Sequence, residues 1–458
     1  MNLTLSDVAQ RCGGVLLHAD GLIRVDSVVT DSRDAVAGAL FVAIAGDHVD
    51  GHDFAAQAIS NGAVAALTSR DIGQACVVVD DPVLALGRLA ASVRRDLDAR
   101  TIAITGSSGK TSTKDLIAAV LMGAGRTVSP IGSFNTEVGL PLTILGAPPD
   151  TEYLVLEMGM RGRGHIAYLV DIASPHIGVV TNVGSAHLEL LGSHAEIAMA
   201  KSELVQGLPE AGVAILNGDD VRVRAMARLA PGQVVLVGES FDCQVRATDV
   251  ILDEQARPSF RVLDHASGQA AHVTLRASGR HQVANALSAV GVGLAVGMSL
   301  HDIAARLNEA VPVSPWRMEV VTLPSGITIV NDSYNANPES VRAALEALVT
   351  MPGRTWAVLG EMRELGEQSD AAHEEVGRTT VRLGVQNSVF IGAGTRPAHL
   401  GALAEGARGE ESLFVPDVES AHLLLQERLR PGDVVLIKAS RSIGLDRLAS
   451  ALSGGARP

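Results

Sequence analysis

The sequence predicts an α/β protein of three domains. A small N-terminal α/β domain (residues 1–97) and a C-terminal Rossmann-like domain (313–458) flank a central domain (98–312) with a parallel sheet of the phosphate-loop ATPase type. Three observations carry that expectation. Short β-branched apolar runs alternate with helical patterns from residue 100 onward, as in a parallel sheet covered on both faces. A glycine-rich loop, Gly106–Thr111, joins one such run to a helix. The chain, at 458 residues, is too long for one core, and Pro312 to Pro315 break the pattern.

The elements follow in order. Before residue 95, short apolar runs (Ala39–Ala45, Cys76–Val79) and a helical stretch (Phe54–Ile59) lie between glycine turns. Ala90–Arg100 is helical and charged and reads as a connector. Strands are expected at Thr101–Thr105, Tyr153–Met158, Ile177–Thr181 and Val213–Asn217, because each is a short apolar run bounded by turn residues. Residues 234–275 alternate polar and apolar positions and read as an antiparallel appendix. A helix at Gln282–Val296 closes the central domain. The last domain reads strand (Ile327–Val330), helix (Glu339–Val349), strand (Thr355–Leu359) and helix (Ala372–Leu383), then strands at Ser388–Ile391 and Val434–Ile437.

Composition narrows the function classes. A net charge of −14 argues against nucleic-acid and anionic-membrane partners, which call for a basic surface. Cys12, Cys76 and Cys243 are scattered and odd in number, which fits neither a disulfide framework nor a metal-binding spacing. No run of about 18 apolar residues suggests a membrane span, and the opening stretch lacks a signal-peptide pattern. A cytoplasmic location is expected.

The chemistry-bearing residues cluster at strand ends. Gly106, Ser107, Ser108, Gly109, Lys110, Thr111 and Ser112 form a strand–loop–helix phosphate cradle. Backbone N–H groups curl around an anion there, Lys110 reaches the β/γ-phosphates, and the Thr111 hydroxyl ligates Mg²⁺. The general pattern asks for glycine at position 104, where this chain has Ile104. Glu157 ends a buried strand, either as a Mg²⁺ ligand or as a carboxylate meeting solvent. His187 lies in a polar loop after another strand, as a ligand or as an ordinary structural histidine. Lys201 sits on an apolar helical turn, snorkelling to solvent or reaching the metal centre, where an ammonium must be neutralised or derivatised. Arg317 is placed to neutralise a terminal phosphate and Asp332 to bind a ribose hydroxyl. The segment Asn331–Ser340 around Tyr334 reads as a site, or as a loop and helix cap.

These strings together resemble the Mur ligase family over essentially the whole length. TGSSGKT matches that family's shortened phosphate loop, which accounts for Ile104. Thr30–Arg33, containing Ser32, and Gly46–Phe54 resemble its UDP-binding region. Asn135–Thr143 resembles its nucleotide-sugar segment, with Asn135 and Thr136 as contacts. Gly279–Ala289 resembles its adenine-proximal helix, with His281 and Asn285 as contacts. Asn331–Ser340 and Leu359–Ser369 point to the branch that adds a dipeptide; no D-N-P-R motif of the diaminopimelate- or lysine-adding branch is present. Lys438–Asp446 resembles the K-G-S-R-x-x-x-M-E string, keeping Lys438 and Arg441 but carrying Ala439, Leu445 and Asp446.

The resemblance implies an ATP-dependent amide ligase acting through an acyl phosphate. Its substrates would be UDP-N-acetylmuramoyl-tripeptide and D-alanyl-D-alanine. Two Mg²⁺ ions are implied, one on Thr111 and Glu157, the other near His187 and a carbamylated Lys201. Tyr334, Asn335, Glu361, Arg363 and His373 are candidate substrate contacts, being at or after strand ends of the last domain. A monomer is expected. The rival readings are another amide ligase of the superfamily, such as one extending folate with glutamate, and a nucleotide-binding protein without catalysis.

Overall fold

The computed structural model describes residues 3–46 and 48–454. Asp47, within the Gly46–Phe54 segment, and the outermost residues of the first and last expected domains lie outside the described residues. Among the described residues the strands form three main sheets and a two-stranded ribbon, giving the three-lobed α/β architecture.

In the first lobe Ser27–Val29, Ala39–Val42, Ala65–Thr68 and Cys76–Val78 run parallel, with Val15–Leu17 antiparallel at the edge. Its inner face shares a core with the middle lobe through the helix Pro82–Asp96, which packs on the helices Gly139–Leu145 and His165–Ala173. The expected charged connector is therefore a packed element. Arg94 supplies the reason: it is buried, and its guanidinium donates to the carbonyls of Ala173, Leu97 and Ala99, so its charge is spent inside.

The middle sheet has nine strands. Arg100–Thr105 lies between Tyr153–Glu157 and Ile177–Val180, and all three run parallel. Glu157 pairs with Ile104 and Val180 with Thr105, so the three carboxyl ends finish at one edge. Such an edge is where open parallel sheets place their ligands. Helices Lys110–Leu121 and Gln282–Ala295 cover one face, burying Ile117, Val120, Ala286 and Val290 against Ile102 and Ile104. The expected antiparallel appendix is instead a continuation of this sheet. Gln233–Gly238 pairs parallel with Val213–Asn217, and Val245–Leu252 pairs parallel with Gln233–Gly238. Only Pro258–Asp264 and Gln269–Thr274 are antiparallel.

The third sheet has six strands, with Asp433–Lys438 inserted between Thr328–Asn331 and Arg354–Leu359. Its two faces carry separate hydrophobic cores, one around Phe390 and the other around Trp356. The Ala439 departure fits locally. Ala439 is fully buried, and the residue opposite is Gly360, where an added Cβ would come 2.7 Å from the Ala439 methyl. The alanine fills space that the facing glycine leaves.

Candidate active site

The phosphate loop is shaped by contacts that exclude larger residues. A Cβ on Gly106 would lie 1.8 Å from Thr181 Oγ1. Gly109 takes φ 77°, and a Cβ there would lie 2.6 Å from Asn285 Oδ1. The helix Lys110–Leu121 then begins with no side-chain cap, which leaves its first N–H groups directed into the loop. Thr181 and Asn182, after the neighbouring strand, brace the loop. Thr181 Oγ1 donates to Ser108 O at 2.7 Å, and Asn182 Oδ1 accepts from Ser108 N at 2.9 Å. Lys110 Nζ donates to Gly106 O at 2.7 Å. Burial pushes its pKa below the ordinary lysine value, with Glu157 opposing.

Glu157 is 1% exposed at its strand end. One oxygen accepts from Thr111 Oγ1 (2.9 Å), the other from Ser133 Oγ (2.7 Å) and Asn135 Nδ2 (2.8 Å). These partners are neutral, and among the described residues no ion pair involves Glu157. A buried carboxylate surrounded by hydroxyls, beside a phosphate cradle, is the hard-oxygen donor set that suits Mg²⁺. Among the described residues no cluster of three His, Cys, Asp or Glu side chains forms a metal cage. Mg²⁺ would keep waters there and take one or two carboxylates plus phosphate oxygens.

Lys201 does not snorkel. It is 1% exposed, with Nζ 3.8 Å from Met160 Sδ, directly behind the cavity wall. Burial, and then the Lys110 ammonium, push its pKa well below the ordinary value. His187 takes a left-handed backbone (φ 65°) and pairs through Nδ1 with Glu364 of the third lobe at 2.7 Å.

Arg317 crosses between lobes. Its Nη2 donates to Thr111 Oγ1 at 3.0 Å, and its guanidinium stacks over Tyr334 at 4.0 Å. Both neighbours, Trp316 (φ 60°) and Met318 (φ 52°), are left-handed non-glycine residues, a costly backbone that surrounding contacts must hold. Arg441 stacks on Trp316 at 4.0 Å and Asp332 accepts from Met318 N at 3.1 Å, which supplies those contacts.

Two cavities meet at Arg317 and the phosphate loop. The larger, about 370 Å³, gathers Lys110, Thr111, Glu157, His187, Asn135 and Thr136 from the middle lobe and Tyr334, Asn335 and Glu364 from the third. The other, about 170 Å³, gathers Ser107, Ser108, Ser112, His281 and Asn285 with Asp332 and Lys438. His281 Nδ1 is buried there without a partner, a feature that suits a heterocyclic ligand. Lys438 donates to Asp332 at 2.6 Å, so it lines the smaller cavity together with that carboxylate.

Five expected substrate contacts, Ser32, Arg441, Glu361, Arg363 and His373, stand apart from both cavities. Ser32 is buried in the first lobe, donating to Gln57. Arg441 is engaged with Trp316 and with Asp446 at 3.1 Å. Glu361 pairs with Arg363 and lines a separate cavity beside Arg447. His373 is fully committed internally. Its Nε2 accepts from Met362 N and its Nδ1 donates to Ser369 O, so no ring nitrogen remains for a dipeptide. Residues that sequence reasoning missed are Thr181 and Asn182, Ser133 and Glu364.

The fold and these cavities define a ligase architecture, and the chain belongs to the Mur ligase family. The Mur ligase family catalytic domain matches residues 24–92, the Mur ligase middle domain 104–293, and the Mur ligase glutamate ligase domain 316–441. The chain is 44% identical to the UDP-N-acetylmuramoyl-tripeptide–D-alanyl-D-alanine ligase of Mycobacterium tuberculosis, over 99% of this chain and 98% of that one. It is 36% identical to the enzyme of the same name from Escherichia coli, over 99% and 98%. Among solved structures, MurF from Acinetobacter baumannii superposes with a TM-score of 0.90 at 31% identity, covering 99% of each chain. MurF ligase from Thermotoga maritima in complex with ADP superposes at 0.82 and 30% identity, covering 94% of this chain and 98% of that one.

Proposed function

We propose that this chain is an ATP-dependent ligase joining D-alanyl-D-alanine to UDP-N-acetylmuramoyl-tripeptide, giving the pentapeptide precursor of peptidoglycan. The observation that carries the reading is the Arg317–Thr111 contact, which brings third-lobe chemistry onto the phosphate loop. The whole-length likeness to ligases of that name supports the substrate pair.

The peptide's terminal carboxylate attacks the γ-phosphorus of ATP; the new O–P bond forms as the bond to ADP breaks. The acceptor amine then forms a C–N bond to the acyl carbon, and the C–O bond breaks with its electron pair leaving on phosphate. The ammonium gives up two protons overall, one to phosphate and one to solvent. Bringing a carboxylate to a triphosphate sets anion against anion, so charge neutralisation is the main task. Lys110 and Arg317 supply fixed positive charge, and the helix N-terminus orients the phosphates. Thr111 and Glu157 would hold one Mg²⁺, with His187 and Lys201 beside a second. Mg²⁺ bound there would neutralise charge on the transferring phosphoryl group.

Lys201 can serve in such a site only if its charge is changed. A neutral, buried amine forms an N–C bond to CO₂ and releases a proton, giving a carbamate, a carboxylate-like anion. Lys201→Ala is expected to lose most activity and to regain part of it with a short-chain acid; unchanged turnover in the variant discards the role.

The lobes divide the work in this reading: the first, with Ser32, holds the nucleotide-sugar, the second ATP, and the third the dipeptide. A cytoplasmic monomer suits nucleotide-linked substrates, and among the described residues no helix is long and apolar enough to cross a membrane. Phosphate release measured with D-Ala-D-Ala, L-glutamate, L-lysine and diaminopimelate tests the proposal. Stimulation by D-Ala-D-Ala alone is expected; stimulation by a single amino acid instead would assign another member of the superfamily.

A further inference from the structure

The ligation proposed above requires an acceptor that arrives in water as an ammonium, and the reaction cavity is dominated by cations that serve phosphates. Among the described residues two carboxylates line that cavity, Glu157 and Glu364. Glu157 is buried and already accepts from three side chains. Glu364 is different. Its side chain is 54% exposed, and it stands on the third-lobe loop that follows the strand Arg354–Leu359, across the cavity from the phosphate loop.

The backbone marks the same place. Glu364 and His187 both have φ 65°, and they face each other from different lobes. Their side chains pair at 2.7 Å, and Glu189 N donates to Glu364 O at 3.2 Å. Non-glycine residues held in this region are strained, and such strain concentrates at ligand clamps and switch points. Other third-lobe candidates near the loop are committed: Glu361 to Arg363 on the far side, His373 to backbone groups.

We infer that Glu364 docks the ammonium of the acceptor, exchanging His187 for the substrate's amine and aiming that nitrogen at the acyl carbon. This rests on the ligase reading. Glu364 acts through fixed negative charge, so the class of ligand it selects is a primary ammonium rather than a neutral or anionic group.

Steady-state kinetics of Glu364→Gln and Glu364→Asp test it, with KM measured separately for D-Ala-D-Ala, ATP and the nucleotide-sugar tripeptide. The Gln variant is expected to raise the dipeptide KM roughly tenfold or more, as loss of a charge-assisted hydrogen bond does, while the ATP KM moves less than about twofold. The Asp variant is expected to fall between. Hydroxylamine, an amine uncharged at neutral pH, provides the second readout. Relative to dipeptide product, the Gln variant is expected to form about tenfold more hydroxamate than the unsubstituted chain. An unchanged dipeptide KM, or equal rises in all three KM values as a lost lobe contact through His187 would give, overturns the assignment. If the unsubstituted chain forms no hydroxamate from ATP and tripeptide, the ligase reading itself fails.

Discussion

The middle lobe draws its phosphate machinery from one short stretch, Gly106 to Thr111, whereas the third lobe assembles its wall from loops spread between Arg317 and Lys438. The first arrangement is held by neighbours on the same sheet: Glu157 ends one adjacent strand, Thr181 and Asn182 follow the other, and all three grip the loop directly. The second depends on stacking and ion pairs between distant segments, such as Arg317 on Tyr334, Arg441 on Trp316 and Lys438 on Asp332. A cradle for a common ligand can be local and rigid. A wall that recognises a particular acceptor, the role proposed for the third lobe, is built from parts that meet only on folding.

Substitutions on the two sides should therefore differ in kind. Lys110→Ala removes the cradle's own charge and is expected to lower kcat about 10³-fold, since electrostatic stabilisation of the transferring group is the largest contribution; ADP release with both substrates present measures it. Arg317→Lys keeps a charge but loses the planar fork that reaches Thr111 while stacking on Tyr334, so a fall of roughly 10²-fold in kcat is expected. Full activity in that variant would make the cross-lobe contact incidental.

Stability separates the regions further. Gly360→Ala would force a methyl against Ala439 and is expected to cost about 1–3 kcal/mol, read as a lower melting temperature. Adding Ala439→Gly should return most of it. The smallest effect concerns the thiols, all of which lie in the first two lobes. Burial pushes Cys12 up to about 12 and Cys243 up to about 11, so the reactive thiolate is scarce below those values and grows only as pH rises through them. The native protein at pH 8.5 is expected to label slowly at both. Labelling that appears on heating should report opening of the first two lobes and stay silent if the third opens alone.

Much of the first region was legible in the sequence. A strand, glycines, Lys110 and Thr111 in immediate succession describe their own geometry, and Glu157 ends an unmistakable apolar run. What escaped is what depends on packing. Nothing near Asn182 announces that its amide braces a loop 74 residues earlier. Glu361 and Glu364 sit three residues apart on one loop, and only the folded turn decides which faces the cavity. His373 follows a strand end, which is what makes it a candidate contact in the sequence; its two backbone partners come from the fold. Asp332 and Lys438 stand in separate strings of the sequence, and their pairing across 106 residues belongs to the fold.

In the proposed reaction the lobes meet around ATP to turn a peptide's terminal acid into an acyl phosphate. The most direct measurement uses tripeptide substrate carrying oxygen-18 in that terminal carboxylate and follows the inorganic phosphate released on ligation. One labelled oxygen per phosphate is predicted. Phosphate without label, with amide product formed, would contradict it.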